Sequence, residues 1–210
     1  VCRIEGVEGG DQGGIARVRA LRTALEAQGQ EVIVVHAGDL LFPSFASRMY
    51  SGAQMIDALN ALDGSNAAGT IDPRLFVTFG NHEFEKPKKK DVGILASRVA
   101  ESQFSWLGGN VEFARDEAGK SLVPTDKIFA THVVGSGGLK IGLFGLTIPT
   151  LGVEYASFNG PIATARRLTA ELRRQGVDLV VAVTHLEAEE DRELLAQLGA
   201  DGPDVVIGGH

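Results

Sequence analysis

Apolar residues fall along this chain in two patterns, short unbroken runs and runs spaced three or four residues apart. The unbroken runs lie at residues 31–37, with Val32, Ile33, Val34 and Val35, and at 75–79, 139–146, 178–184 and 204–208. A half-solvated strand alternates apolar and polar residues, so near-continuous β-branched runs predict strands covered on both faces. The segments 127–134 and 139–146, joined by Gly135-Ser136-Gly137-Gly138, read as a hairpin.

Helical spacing fills the intervals. Ile15, Val18, Leu21 and Leu25 form one apolar stripe, stopped by Gly29. Met55, Ile56, Leu59 and Leu62 form a second, and Ile94, Leu95 and Val99, extending toward Phe104, a third. A fourth opens at Gly160-Pro161, with Pro161 suited to the first helical position, and carries Ile162, Ala165, Leu168 and Leu172 before Gly176. A fifth runs over about 188–198. Strands alternating with helices predict a mixed α/β sheet with helices on both faces. Segments 63–73 and 114–126 read as Gly/Asp/Ser-rich loops, and Lys86-Pro87-Lys88-Lys89-Lys90 as a basic, solvated one.

Composition narrows the function. With 210 residues, 44% of them apolar, the chain can bury a full core. A net charge of −7 argues against non-specific nucleic-acid binding, which needs a basic face. No apolar run reaches the length of a membrane-spanning helix. The one cysteine, Cys2, excludes an internal disulfide framework and any CxxC metal site, and reads as a frayed terminal residue. No signal-peptide pattern opens the chain, which begins at Val1 and reads as cut or processed.

The chemistry gathers where the runs end. Asp39 follows the first run, and Asn81, His82 and Glu83 follow the second. His185 directly follows Val181-Ala182-Val183-Thr184, and His210 follows Val205-Val206-Ile207 and two glycines. In α/β sheets ligands bind beyond the carboxyl ends of strands, so these side chains can converge. A carboxylate, an amide oxygen and two imidazoles suit Mn, Fe, Zn or Co better than a thiolate-selected metal or an all-oxygen calcium site. Glu83 reads as structural, hydrogen-bonded to loop amides. His36 reads as sheet packing or a support to the site, and His132 as lying on a solvated hairpin face. Phe104 and Trp106 read as core. Neither a GxSxG element nor a P-loop occurs.

These residues carry a resemblance. Gly38-Asp39, Gly80-Asn81-His82-Glu83, Thr184-His185 and Gly208-Gly209-His210 resemble, in order, motifs of the 5'-nucleotidase branch of the calcineurin-like metallophosphoesterases. Gly13-Gly14-Ile15-Ala16-Arg17, residues 55–62, Gly109-Asn110-Val111 and residues 140–146 match as well, so the likeness covers essentially the whole chain. It implies a four-layer α-β-β-α sandwich whose mixed sheets are flanked by helices. It also implies two divalent metal ions (Mn, Zn, Fe, Co or Mg), with Asp39 bridging both and Asn81, His185 and His210 completing one shell. His82 would face the phosphoryl group rather than a metal, and Glu85, standing where the family has an Asp, would orient it.

The implied activity is phosphate-monoester hydrolysis, with a nucleoside 5'-monophosphate as the small-molecule substrate. Related alternatives are a 2',3'-cyclic nucleotide phosphodiesterase and a nucleotide-sugar hydrolase; one of another class is a degenerate, non-catalytic binding domain. Cys2 falls where the family's first His would stand. An Asp before Val1 and a final His after His210 are expected beyond the two ends, which reads as a catalytic domain truncated at both ends, without the family's C-terminal substrate-binding domain. Such a fragment is expected to bind one metal weakly or not at all and to be poorly active. Much of the family is periplasmic, extracellular or on the cell surface.

Overall fold

The computed structural model describes residues 4–65 and 69–210; Cys2 lies outside them. Along these residues the elements run α1 (Ile15–Glu26), β1 (Val34–His36), α2 (Phe45–Tyr50), α3 (Ala53–Asn60), β2 (Leu75–Thr78), α4 (Val92–Glu101), β3 (Ser105–Leu107) and β4 (Val111–Phe113). They continue with β5 (Ile128–Phe129), β6 (Thr131–Ser136), β7 (Leu139–Thr147), β8 (Ala156–Phe158), α5 (Pro161–Arg174), β9 (Leu179–His185), α6 (Ala188–Leu198) and β10 (Val205–Gly209). One sheet has the order β1-β2-β3-β5 and is parallel throughout. The other has the order β10-β9-β7-β6, parallel except for the β6–β7 hairpin. An antiparallel ribbon, β4–β8, stands apart from both.

Side chains two residues apart share a face of a strand, and this explains the unbroken apolar runs. On β2, Leu75 and Val77 pack with Met55, Ile56, Leu95 and Val99 of α3 and α4. Phe76, between them, packs with Leu143, Val181 and Val183 of the second sheet. On β9, Val180 and Ala182 face the other way, toward Leu168 and Leu172 of α5 and Leu194 of α6. Helix, sheet, sheet and helix therefore stack in four layers, and the fold is mixed α/β with flanking helices.

The chain's local chemistry explains several boundaries. Pro161 opens α5 as expected, and Gly176, at φ 73°, follows its end. Gly137 and Gly138, at φ 59° and 81°, close the β6–β7 hairpin as a two-residue turn of the type that demands positive φ at both positions. Ser44 caps α2 by accepting the Ser47 amide hydrogen.

Several expectations need correction. The run at 31–37 forms strand only over Val34–His36, half-buried at a sheet edge. Strand β10 is likewise an edge, with Val205 and Ile207 exposed. Residues 127–129 do not belong to the hairpin. Ile128 and Phe129 pair with β3 in the first sheet, and the chain changes sheets at Ala130. The helix at Ile94–Val99 ends at Glu101, and Phe104 leads into β3. His132 is half-buried rather than on a solvated face. It shares the inward face of β6 with Val134, its ring 4.9 Å from that of Phe76 and 5.3 Å from that of Phe129, and this burial lowers its pKa. Phe104 and Trp106 are buried, Trp106 stacked on Phe79 at 4.6 Å.

His36 gives the fold a pH dependence. Its Nδ1 is buried with no partner among the described residues, beside an apolar cavity of about 410 Å³ between α1 and β1. Burial is the largest cause that pushes its pKa down to about 4. An unfolded histidine titrates near ~6.5, so the unfolded chain takes up the proton first. The stability from a neutral His36 is then complete above about pH 6.5 and is lost as pH falls toward about 4. At about 1.4 kcal/mol per pKa unit, that shift sets an upper bound of about 3 kcal/mol on the effect. Urea midpoints followed from neutral pH to about pH 4.5 should fall in wild type, and His36→Leu should flatten that slope.

Candidate metal centre

Strand register brings the candidate residues together. On β1 and β2, His36 pairs with Val77. Three residues on from each, Asp39 therefore leaves its strand beside Gly80. In the other sheet, Thr147, His185 and Gly209 lie side by side at the ends of β7, β9 and β10. His210 thus emerges next to His185.

Two buried hydroxyls tie the sheets together beneath this point. Thr78 donates to the Val183 carbonyl at 3.0 Å, and Thr147 donates to the Phe79 carbonyl at 2.7 Å. Each bond crosses between sheets, so the two sets of strand ends are held in one place. Nothing in the sequence pattern marked either threonine.

The backbone turns are equally constrained. Asp39 sits at φ 57°, a left-handed conformation that Asp tolerates better than most residues. Glu83 fixes it. The buried Glu83 carboxylate accepts the amides of Asp39 at 3.0 Å, Leu41 at 2.8 Å and Gly80 at 2.5 Å, joining the two turns. Burial outweighs these bonds and leaves its pKa raised. The structural reading of Glu83 therefore holds. Gly38 and Gly80 have no room for a side chain. A Cβ on Gly38 would overlap the His185 ring, and one on Gly80 would overlap the Asp39 carboxylate.

The donor atoms meet around His185 Nε2. Asn81 Oδ1 lies 3.1 Å from it, Asp39 Oδ1 3.2 Å and His210 Nδ1 3.0 Å. Asp39, His185 and His210 each offer one ligand atom, all within 4.8 Å of one another. The other His185 nitrogen settles the tautomer. Nδ1 is 2.6 Å from the Ala37 carbonyl, which only accepts, so Nδ1 carries the hydrogen. Nε2 then presents a lone pair to two oxygens and a second imidazole. Four lone pairs at such distances repel unless a cation lies among them.

A proton can partly meet that need. Burial by itself lowers the His185 pKa, but the Asp39 and Ala37 hydrogen bonds outweigh it and leave it raised. Asp39 is lowered for the matching reason: His185 and the His82 amide outweigh burial. One N–H, however, points at one acceptor. A metal ion among them would meet several donors at once: the contacts to His185 Nε2 run from 3.0 to 3.2 Å, and Asp39, His185 and His210 offer ligand atoms within 4.8 Å of one another. The residues present therefore fit a metal.

His82 stands at the rim with 35% of its side chain exposed. Its amide donates to Asp39 Oδ1 at 3.0 Å, and its ring Nε2 is 3.9 Å from Asp39 Oδ2. It is thus placed beside the donor group, facing outward. Glu85 Oε2 lies 3.7 Å from His82 Nδ1, within ion-pair range and beyond hydrogen-bond distance.

Glu187 was not expected at this site. Its Oε1 is 3.3 Å from His210 Nε2, which favours hydrogen on that nitrogen and leaves Nδ1 facing the centre. Glu187 also forms a capping box with Glu190 at the start of α6. Its position two residues after His185 was the available signal. Of the basic loop, Lys88 is engaged by Glu154 at 2.8 Å.

Fold and donor group define a class: a four-layer α/β domain with a metal-competent cluster where its parallel strands end. The chain belongs to the calcineurin-like phosphoesterase family, whose profile matches residues 11–210. It is similar to the 5'-nucleotidase of Vibrio cholerae, 28% identical over 96% of this chain and 36% of that protein. It is similar to a 2',3'-cyclic-nucleotide 2'-phosphodiesterase/3'-nucleotidase of Haemophilus influenzae, 27% identical over 95% of this chain and 32% of that protein. Among solved structures, a 5'-nucleotidase precursor from Thermus thermophilus superposes with a TM-score of 0.72 at 26% identity, covering 94% of this chain and 36% of that one. The chain thus spans about a third of the length of these relatives. Among the described residues no helix is long and apolar enough to cross a membrane.

Proposed function

We propose that this chain is the metal-holding part of a phosphoester hydrolase whose substrate is a nucleoside 5'-monophosphate. The observation that carries the reading is the four converging lone pairs around His185 Nε2. Asp39, Asn81, His185 and His210 would hold divalent metal, which the family resemblance gives as two ions. The metal would supply charge neutralisation of the phosphoryl oxygens and an activated water near neutral pH.

The chain's own groups do the rest. Ala37 and Glu187 hold the two imidazoles in the tautomers that present lone pairs inward. Glu83 keeps the Asp39 and Gly80 turns rigid, so the donors need no rearrangement. His82, outside the donor group and partly exposed, faces the phosphoryl group and gives a proton to the leaving alkoxide oxygen. Glu85 is the group that turns its ring. Similarity to the Vibrio cholerae and Thermus thermophilus nucleotidases supports the substrate class. The Haemophilus influenzae relative supports a second reading, a 2',3'-cyclic phosphodiester substrate.

Initial rates separate them. The protein as its gene encodes it, reconstituted with Mn²⁺ or Zn²⁺, should release phosphate from AMP faster than it opens 2',3'-cyclic AMP. A reversed preference would replace the first reading by the second. Bound metal without turnover of AMP, the cyclic nucleotide or p-nitrophenyl phosphate would sink both and leave a binding domain.

A further inference from the structure

Just before His210, strand β10 passes between two oxygen atoms. A Cβ on Gly208 would lie 2.5 Å from Asp191 Oδ2, and a Cβ on Gly209 would lie 2.6 Å from the Ala37 carbonyl oxygen. Neither glycine takes a positive φ, so close approach is what each position demands. Consecutive residues of a strand face opposite ways, so the two oxygens hold β10 from both sides. The Ala37 oxygen already has a part in the centre, as the partner of His185 Nδ1. Asp191 comes from α6, on the other face.

Asp191 also grips the neighbouring strand. The buried Thr184 hydroxyl donates to its Oδ2 at 3.0 Å. Gly208 pairs with Thr184, and Gly209 with His185. One carboxylate oxygen therefore touches both strands, on the rung just before the one that carries His185. Asp191 stands four residues after Glu187, and its amide donates to the Glu187 carbonyl at 3.0 Å. Residues at this spacing share a helix face. The turn that Asp191 anchors is thus the turn that holds Glu187 3.3 Å from His210 Nε2. The carboxylate is not seated there for stability. Its Oδ1 is buried with no partner among the described residues, and burial is the largest cause that raises its pKa. A buried acceptor without a donor costs stability, and such local conflicts are expected where a site has to be held.

We propose that Asp191 is a positioning residue for His210. By joining the Thr184 hydroxyl to the first turn of α6, it fixes where the Glu187 carboxylate stands. It thereby sets which His210 nitrogen carries hydrogen and which one faces the centre. Asp191 acts through Glu187 and the Gly208 backbone, not on the ring itself. The inference deepens the metal reading and rests on it for the consequence in metal affinity; the placement of the ring is independent of that reading.

Nuclear magnetic resonance of the isotopically labelled imidazole rings in the chelator-stripped chain tests this, because the two nitrogens of a neutral histidine report which one carries hydrogen. Wild type should show His210 with its hydrogen on Nε2. In Asp191→Ala the two His210 nitrogen signals should move toward each other as the tautomers mix, while those of His185 stay apart under the Ala37 bond. Asp191→Asn should keep the wild-type pattern, because its amide oxygen still accepts from Thr184. Thr184→Val removes only the hydroxyl at nearly the same shape. It should reproduce the alanine result, and it takes the place of Asp191→Ala if that chain does not fold. Zn²⁺ affinity should fall roughly tenfold in both. A wild-type His210 pattern in folded Asp191→Ala or Thr184→Val, or an Asp191→Asn chain that behaves as Asp191→Ala, would overturn the proposal. Absence of Zn²⁺ binding in wild type would sink the metal reading alone, since the ring signals are read without metal.

Discussion

Replacing Asp39 by Ala is expected to remove divalent-metal binding and to lower phosphoester turnover by roughly 10³-fold or more. That is what several kcal/mol of lost charge stabilisation in a metal site amounts to. The reason lies in what Asp39 touches. Its Oδ1 is 3.2 Å from His185 Nε2 and accepts the His82 amide at 3.0 Å. It supplies the only carboxylate in the group of Asp39, His185 and His210. Without it, Asn81 and two neutral imidazoles remain, a set with no negative charge to hold a divalent ion. Asp39→Asn separates charge from shape, because an amide oxygen can still accept from His82. The expected order of metal affinity is wild type, then Asn, then Ala, measured by elemental analysis after dialysis. The fold should survive both changes, since the Leu41 and Gly80 amides keep their bonds to Glu83.

The second large effect has the opposite signature. His82→Ala should lower kcat by about 10²–10⁴-fold, the range for loss of a positioned proton donor, with metal content near that of wild type. His82 sits outside the donor cluster. Its ring is 3.9 Å from the Asp39 carboxylate, and its hold on Asp39 runs through its backbone amide, which the alanine variant keeps. Metal loss in this variant would show that the ring is a ligand. Glu85→Gln should give a smaller fall in kcat, because Glu85 stands 3.7 Å from the ring and its proposed part is only to turn it.

The convergence of the candidate residues is legible in the sequence because each follows an apolar run. Asp39, Asn81 and His210 lie just beyond parallel strands and His185 ends one, and parallel register places such residues side by side. Glu83 was also readable, as an acid within a turn full of free amides. What escaped notice depends on contacts between elements. Thr78 and Thr147 look like ordinary strand residues, and only the packing of sheet on sheet reveals their cross-sheet bonds. Glu187 resembles a helix cap, which it is, and its approach to His210 requires β9 and β10 to be neighbours.

The fold misreadings have similar causes. Ile128 and Phe129 continue into β6 with a single intervening residue, so nothing local shows that they pair with a different sheet. Helix α2 carries exposed Phe45, Met49 and Tyr50, so it has no polar outer face to mark it. The β4–β8 ribbon joins residues more than forty apart through strands of three residues each, too short for a period to appear. His132 was misplaced because the side on which a hairpin residue falls depends on strand register.

The central claim is that the strand ends hold metal through these named side chains. Its most direct measurement is a titration of the chelator-stripped chain with Zn²⁺, following the imidazole signals of His185 and His210 together with metal bound per chain. The account predicts uptake of at least one ion, with both rings shifting in step and no such change in Asp39→Ala. Uptake that leaves His185 and His210 unmoved, or shifts that persist without Asp39, would contradict it.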